Sequence, residues 1–110
     1  MRETVFQRRC LNWVRTQHKG KLLAVNIHGG GYSNKGFPDV LIFGGGKTVA
    51  VELKSDTSGY KLQPDQALWR ERFKAVSIPH YIIHTFDEFL LMLETEFGYE
   101  QNNKLPADQT

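Results

Sequence analysis

Apolar side chains recur at intervals of three and four from Glu3 to about Gln17, at Phe6, Cys10, Trp13 and Val14, while Arg8, Arg9, Arg15 and Lys19 fall mostly elsewhere. That period describes one face of an amphipathic α-helix, and Gly20 ends it. Beyond it the pattern shortens. Leu22 to His28 reads as a strand, and a Gly-rich loop from Gly29 to Gly36 leads to further strands over Asp39–Phe43 and Thr48–Lys54. These three strands are expected to run antiparallel. After a polar loop, Gln63-Pro64 opens a second helix with proline at its first position, continuing through Gln66, Leu68, Trp69 and Phe73 to about Val76. Pro79 precedes a short apolar strand, His80 to His84, and Thr85 with Glu88 three residues on forms a capping-box pattern for a last helix that ends at Gly98. The predicted class is α/β (α+β), in the order helix, three antiparallel strands, helix, strand, helix. Residues 1–98 read as one domain, and 99–110 as a polar tail with too little apolar surface to fold.

Between the second and third strands stands the string GGGKT, residues 44 to 48. A phosphate-binding loop needs G-x-x-x-x-G-K-[ST] and must open a helix. Here the position five before Gly46 is Leu41, and Lys47 is followed by the β-branched run Thr48-Val49-Ala50-Val51, which favours a strand. We therefore expect a hairpin turn centred on Gly45 and Gly46, and no nucleotide cofactor. The register follows from the turn: Phe43 opposes Thr48, Leu41 opposes Ala50, and Asp39 opposes Glu52. With a side-chain period of two, Lys54 lies on the same face as Glu52. Like charges directly opposite one another across a sheet are destabilising, so a cation is expected between Asp39 and Glu52.

Composition narrows the setting. The chain has 110 residues, is 40% hydrophobic, and carries a formal charge of +2, which suits one domain with a modest core and permits a polyanionic partner without demanding one. Its single cysteine, Cys10, has no internal disulfide partner, and no apolar signal core follows the N-terminal charges, so a reducing, cytoplasmic setting is expected. The longest apolar run, Phe89 to Leu93, is far short of the roughly 20 residues that cross a bilayer.

The segment Pro38-Asp39, followed by Glu52-Leu53-Lys54, resembles the signature of the PD-(D/E)XK nuclease superfamily, and the predicted order of elements matches its core. Companions sharpen the likeness: Glu3 on the first helix, Gly36 before Phe37-Pro38-Asp39, then Gly59, Leu62, and Gln66 with Trp69 on the second helix. Together they resemble the VRR-NUC family in its short stand-alone form, from Glu3 to about Phe89. The resemblance implies a DNA endonuclease dependent on Mg²⁺ or Mn²⁺, with Asp39, Glu52, the Leu53 carbonyl and Glu3 as metal ligands. Asp39, Glu52, Lys54 and Gln66 would form the catalytic set. It also implies branched or flapped DNA as substrate and a homodimer. The chemistry suits the residues, because Mg²⁺ is held by one or two carboxylates, waters and phosphate oxygens, and lowers the pKa of its bound water. Lys54 would either activate that water or stabilise the charged transition state.

Each residue has a plainer reading. Glu3 could simply complement the helix dipole, Gln66 could be a polar first-turn residue, and Asp39, Glu52 and Lys54 could be a solvated charge cluster. His18, His28, His80 and His84 are not taken as a metal-ligand set; only His28 is placed to reach a substrate. Trp13, Trp69 and Phe73 fit a core better than a base-stacking platform. Lys35, Lys47, Lys61, Arg70, Arg72 and Lys74 could be ordinary surface or could track a DNA backbone. A catalytically silent binding module of the same fold, or a restriction or junction-resolving nuclease, are the alternatives.

Overall fold

Gly45 and Gly46 adopt φ of 56° and 79°. Two successive positive φ values make the tight turn whose twist matches that of the flanking strands. In the computed structural model, which describes residues 3–27, 35–55 and 61–98, this turn joins β2 (Val40–Gly44) to β3 (Lys47–Leu53). The register is the one read from the sequence, with Leu41 opposite Ala50 and Phe43 opposite Thr48. GGGKT is a hairpin. Its lysine is engaged elsewhere, since Lys47 Nζ lies 2.6 Å from Glu96 Oε1 and the Tyr81 hydroxyl donates to the same carboxylate. Burial opposes ionisation of Glu96, but hydrogen bonds from Lys47 and Tyr81 and the charge of Lys47 outweigh it and hold the carboxyl below its usual range. The link therefore contributes above the ordinary carboxylate range and is lost as pH falls through the lowered value. Lys47→Ala is expected to cost no more than about 1 kcal/mol, because the lysine is 43% exposed. ATP should raise the melting temperature of neither form; ATP stabilisation that vanished with Lys47 would restore the phosphate-loop reading.

The remaining elements are α1 (Glu3–Gln17), β1 (Leu23–Asn26), α2 (Pro64–Ala75), β4 (His80–Ile83) and α3 (Phe86–Phe97). The sheet order is β1-β2-β3-β4, antiparallel through β3 and parallel between β3 and β4. β1 is shorter than the expected Leu22–His28: its ladder with β2 covers four pairs, and Ile27 adds one bond to the Asp39 carbonyl at 2.7 Å. His28 and Gly59 lie outside the described residues, as does the segment 99–110.

Alternation divides the sheet. Val40, Ile42, Val49, Val51 and Leu53 point to the face covered by α1 and α3, where Phe6, Cys10, Val14, Phe89, Met92 and Leu93 complete the core. Burial pushes the Cys10 thiol up to about 12 against the opposing charge of Arg9, so it packs as a small apolar group. Thr85 Oγ1 accepts from the Glu88 amide at 3.1 Å to start α3, but Glu88 reaches back to the amide of His84 at 2.7 Å, one residue earlier than the box pattern implies. Gly98 closes α3 with φ 79°.

The opposite face belongs to α2, which buries none of its residues fully. It is fastened by discrete contacts instead. Phe37 meets Trp69 edge-on at 4.9 Å and Phe73 at 5.6 Å, and the Trp69 indole donates to the Lys35 carbonyl at 3.1 Å. Trp69 and Phe73 thus form a half-buried aromatic row outside the main core, whereas Trp13 packs against that core as expected. No helix among the described residues is long and apolar enough to cross a membrane.

Candidate active site

Asp39 immediately precedes β2, and its main-chain carbonyl extends the ladder to β1. Its side chain crosses to β3, where Oδ2 accepts from the Leu53 amide at 2.9 Å. That bond seats the carboxylate at the end of β3, one residue after Glu52. Glu52 shares the α2 face with Ala50 and is 2% exposed, a degree of burial that a carboxylate tolerates only with polar company. Part of that company is Gln66. Its Nε2 donates to Glu52 Oε2 at 3.4 Å, while its Oε1 accepts from the Gln63 amide at 3.0 Å.

Gln66 therefore does two jobs with one amide. It caps the first turn of α2, where backbone N–H groups need acceptors, and that bond fixes the end which meets Glu52. The plain reading, a polar first-turn residue, is what the cap bond shows, and the bond to Glu52 sets the same side chain beside that carboxylate. Gly36 permits the approach. A Cβ built there would lie 2.5 Å from the Asp65 carbonyl carbon, so only glycine lets the loop carrying Phe37-Pro38-Asp39 press against the start of α2.

Lys54 follows β3 and is half-buried. Its amide donates to the Ile83 carbonyl at 2.9 Å, continuing the ladder to β4, and its carbonyl accepts from His84 Nδ1 at 2.8 Å. The backbone on both sides of Lys54 is thereby tied to the end of β4, and strand alternation places its side chain on the face of Glu52. Asp39, Glu52, Leu53, Lys54 and Gln66 thus come together at one end of the sheet. Glu3 opens α1, and its side chain lies outside the described residues.

Two features of this region are not evident from periodicity. One is His84 as a holder of the Lys54 main chain. The other is a groove of about 460 Å³ beside Asp39, whose walls include Arg8, Asn12 and Arg15 of α1 with Asn26 of β1 and Ile27 just after it. Arg15 is anchored there by a 3.2 Å bond to the Ala24 carbonyl. A helical wheel carries a partial signal, since Thr4, Arg8, Leu11 and Arg15 recur at four, three and four; the partner strand could not be read.

The donors suit a hard divalent cation, which takes one or two carboxylates with main-chain carbonyls and waters. Among the described residues no group of three or more His, Cys, Asp or Glu side chains is placed to hold a metal; the carboxylates described at this end of the sheet are those of Asp39 and Glu52. The groove beside Asp39 carries the guanidinium groups of Arg8 and Arg15, which suit phosphate oxygens. In comparisons with known proteins, no family model matches the chain and no curated protein matches it.

Proposed function

We propose that the chain is a divalent-metal-dependent DNA endonuclease of the PD-(D/E)XK type, similar to the VRR-NUC family, acting on branched or flapped DNA. The observation that carries this reading is the seating of the Asp39 carboxylate on the Leu53 amide beside the buried, Gln66-bonded Glu52. It is supported by the order of elements around the mixed sheet and by Lys54 on the same face, two residues after Glu52. Asp39 and Glu52 would hold Mg²⁺ or Mn²⁺, with the Leu53 carbonyl and Glu3 as the further ligands the resemblance implies. When bound, such an ion neutralises charge on phosphate oxygens and acidifies water. The Leu53 amide and Gln66 keep the two carboxylates oriented. Lys54 supplies a positive charge beside the attacked phosphate, where it lowers the pKa of the attacking water or stabilises the transition state.

A domain this small covers a short length of backbone, so its selectivity should come from DNA shape rather than base reading. A homodimer would present two sites across a junction. Leu23, 61% exposed on β1 and opposite Phe43, leaves apolar surface for such an interface. Calorimetry should show Mg²⁺ or Mn²⁺ binding that weakens at least tenfold in Asp39→Ala and in Glu52→Ala. A panel of duplex, flap, fork and four-way DNA, with Mg²⁺ or EDTA at matched salt, should show metal-dependent cutting that is fastest on branched forms. Equal metal affinity in both variants, with no cutting of any substrate, would end this reading.

A further inference from the structure

The α2 side of the molecule carries a concavity of about 700 Å³ between the C-terminal half of that helix and the start of β4. His80 is among the residues that line it, and both of its ring nitrogens are shielded from solvent without a hydrogen-bond partner. Buried polar atoms are almost always paired, so an imidazole with neither nitrogen satisfied asks for a partner. The ring is held in place by stacking on Phe73, with centroids 6.1 Å apart and planes 28° apart. Burial, then the charge of Arg70, lowers its pKa; a neutral imidazole offers one donor and one acceptor.

The walls are of two kinds. Arg70 and Lys74, one turn apart on α2, supply positive charge, with Glu71 between them in sequence; Leu62, Ile78 and Pro79 supply apolar surface. The rim is strained. Ser77 has φ 61°, and Ile78 N–H bonds to the Phe73 carbonyl at 2.9 Å while Ser77 N–H bonds to that of Lys74 at 3.0 Å. This is the helix-ending motif whose left-handed position normally takes glycine. A serine there puts a hydroxyl at the mouth of the cavity against the local preference of the backbone.

We propose that this cavity binds a phosphorylated nucleoside, with phosphate at Arg70 and Lys74 and the base or sugar between the apolar wall and His80. Its position identifies the source. Gln66, Arg70 and Lys74 recur at four and four, so they form one stripe of α2 that runs from Glu52 to the cavity. At 1.5 Å per residue the stripe spans about 12 Å, roughly three to four nucleotides of rise along one strand. The nucleoside is therefore a unit of the strand held at the carboxylates, away from the cut. This rests on the nuclease reading, which the test separates from it.

Binding is measured in EDTA, where no cutting occurs, with deoxyadenosine monophosphate and with a fluorescent single-stranded oligonucleotide of about twelve nucleotides. The variants are Arg70→Ala/Lys74→Ala, whose side chains are exposed, and Asp39→Asn. Both probes should move the His80 ring ¹⁵N resonances. The double variant should bind the oligonucleotide at least tenfold more weakly, with a salt slope reduced by about 1.4, while Asp39→Asn leaves the ¹⁵N response intact. Ser77→Gly should raise the melting temperature and weaken mononucleotide binding. Unmoved His80 resonances, or unchanged affinity and slope in the double variant, would overturn the proposal even if the wild type cuts DNA. A response to the mononucleotide alone would overturn the strand assignment. A response to both probes in a protein that cuts nothing would leave the cavity standing and remove the nuclease.

Discussion

Gly36→Ala should be the most destabilising conservative change in the chain, at about 2–5 kcal/mol. Two costs add. A residue with a Cβ is held at φ 86°, which costs roughly 1–2 kcal/mol, and the methyl would meet the backbone and Cβ of Asp65 at 2.5 to 2.7 Å. Overpacking against backbone adds about 1–3 kcal/mol, since no flexible side chain is available to move aside. The comparison that isolates the contact is Gly45→Ala, where φ is 56° and nothing lies within 4 Å, so only the strain of roughly 1–2 kcal/mol remains. Urea unfolding of the two variants should differ by more than 1 kcal/mol. Equal midpoints would mean that the loop before Asp39 does not press on α2. Because that contact also positions the first turn carrying Gln66, Gly36→Ala should lose metal affinity as well, while Gly45→Ala keeps it.

Lys54→Ala should reduce kcat on a branched substrate by about 10²–10³, near 3–4 kcal/mol, with metal and DNA affinities within a few-fold of wild type. The reason is positional. The main chain on both sides of Lys54 is bonded to Ile83 and His84, so removing the side chain leaves the strand end in place while it deletes the charge. Single-turnover rates under saturating Mg²⁺ separate this from a binding defect. Wild-type rates in Lys54→Ala would remove the lysine from the reaction, and a parallel fall in metal affinity would make it a structural residue. His84→Ala should produce a milder loss, because it loosens the backbone that carries the charge.

What could be read in the sequence was whatever is set by neighbours along the chain. Two glycines between β-branched runs specify the hairpin, the hairpin specifies the register, and the register puts Asp39 and Glu52 at one end of the sheet. Thr85 and Gly98 bound α3 for equally local reasons. What was not legible depends on the angle between elements distant in sequence. The groove of Arg8, Asn12 and Arg15 exists because α1 crosses β1 where it does, and His84 holds Lys54 because β4 runs parallel beside β3. What makes His80 informative is that its shielded ring nitrogens have no hydrogen-bond partner, which its sequence context does not show. The position of Gln66 was read correctly, but its bond to Glu52 needed the depth at which α2 docks.

Among the described residues α2 is the one helix with no fully buried side chain, fastened by an aromatic row, an indole N–H and the Lys35–Asp65 ion pair at 3.5 Å. Such an element opens at a lower free energy than strands whose side chains are closed in on both faces, as those of β3 are. The carboxylates sit on the rigid part and Gln66 on the part that can lift. In the proposed site, occupancy of the carboxylates and closure of α2 would be two ends of one equilibrium: a ligand held through Gln66, Arg70 and Lys74 would draw the helix down, and a helix already down would present a finished site.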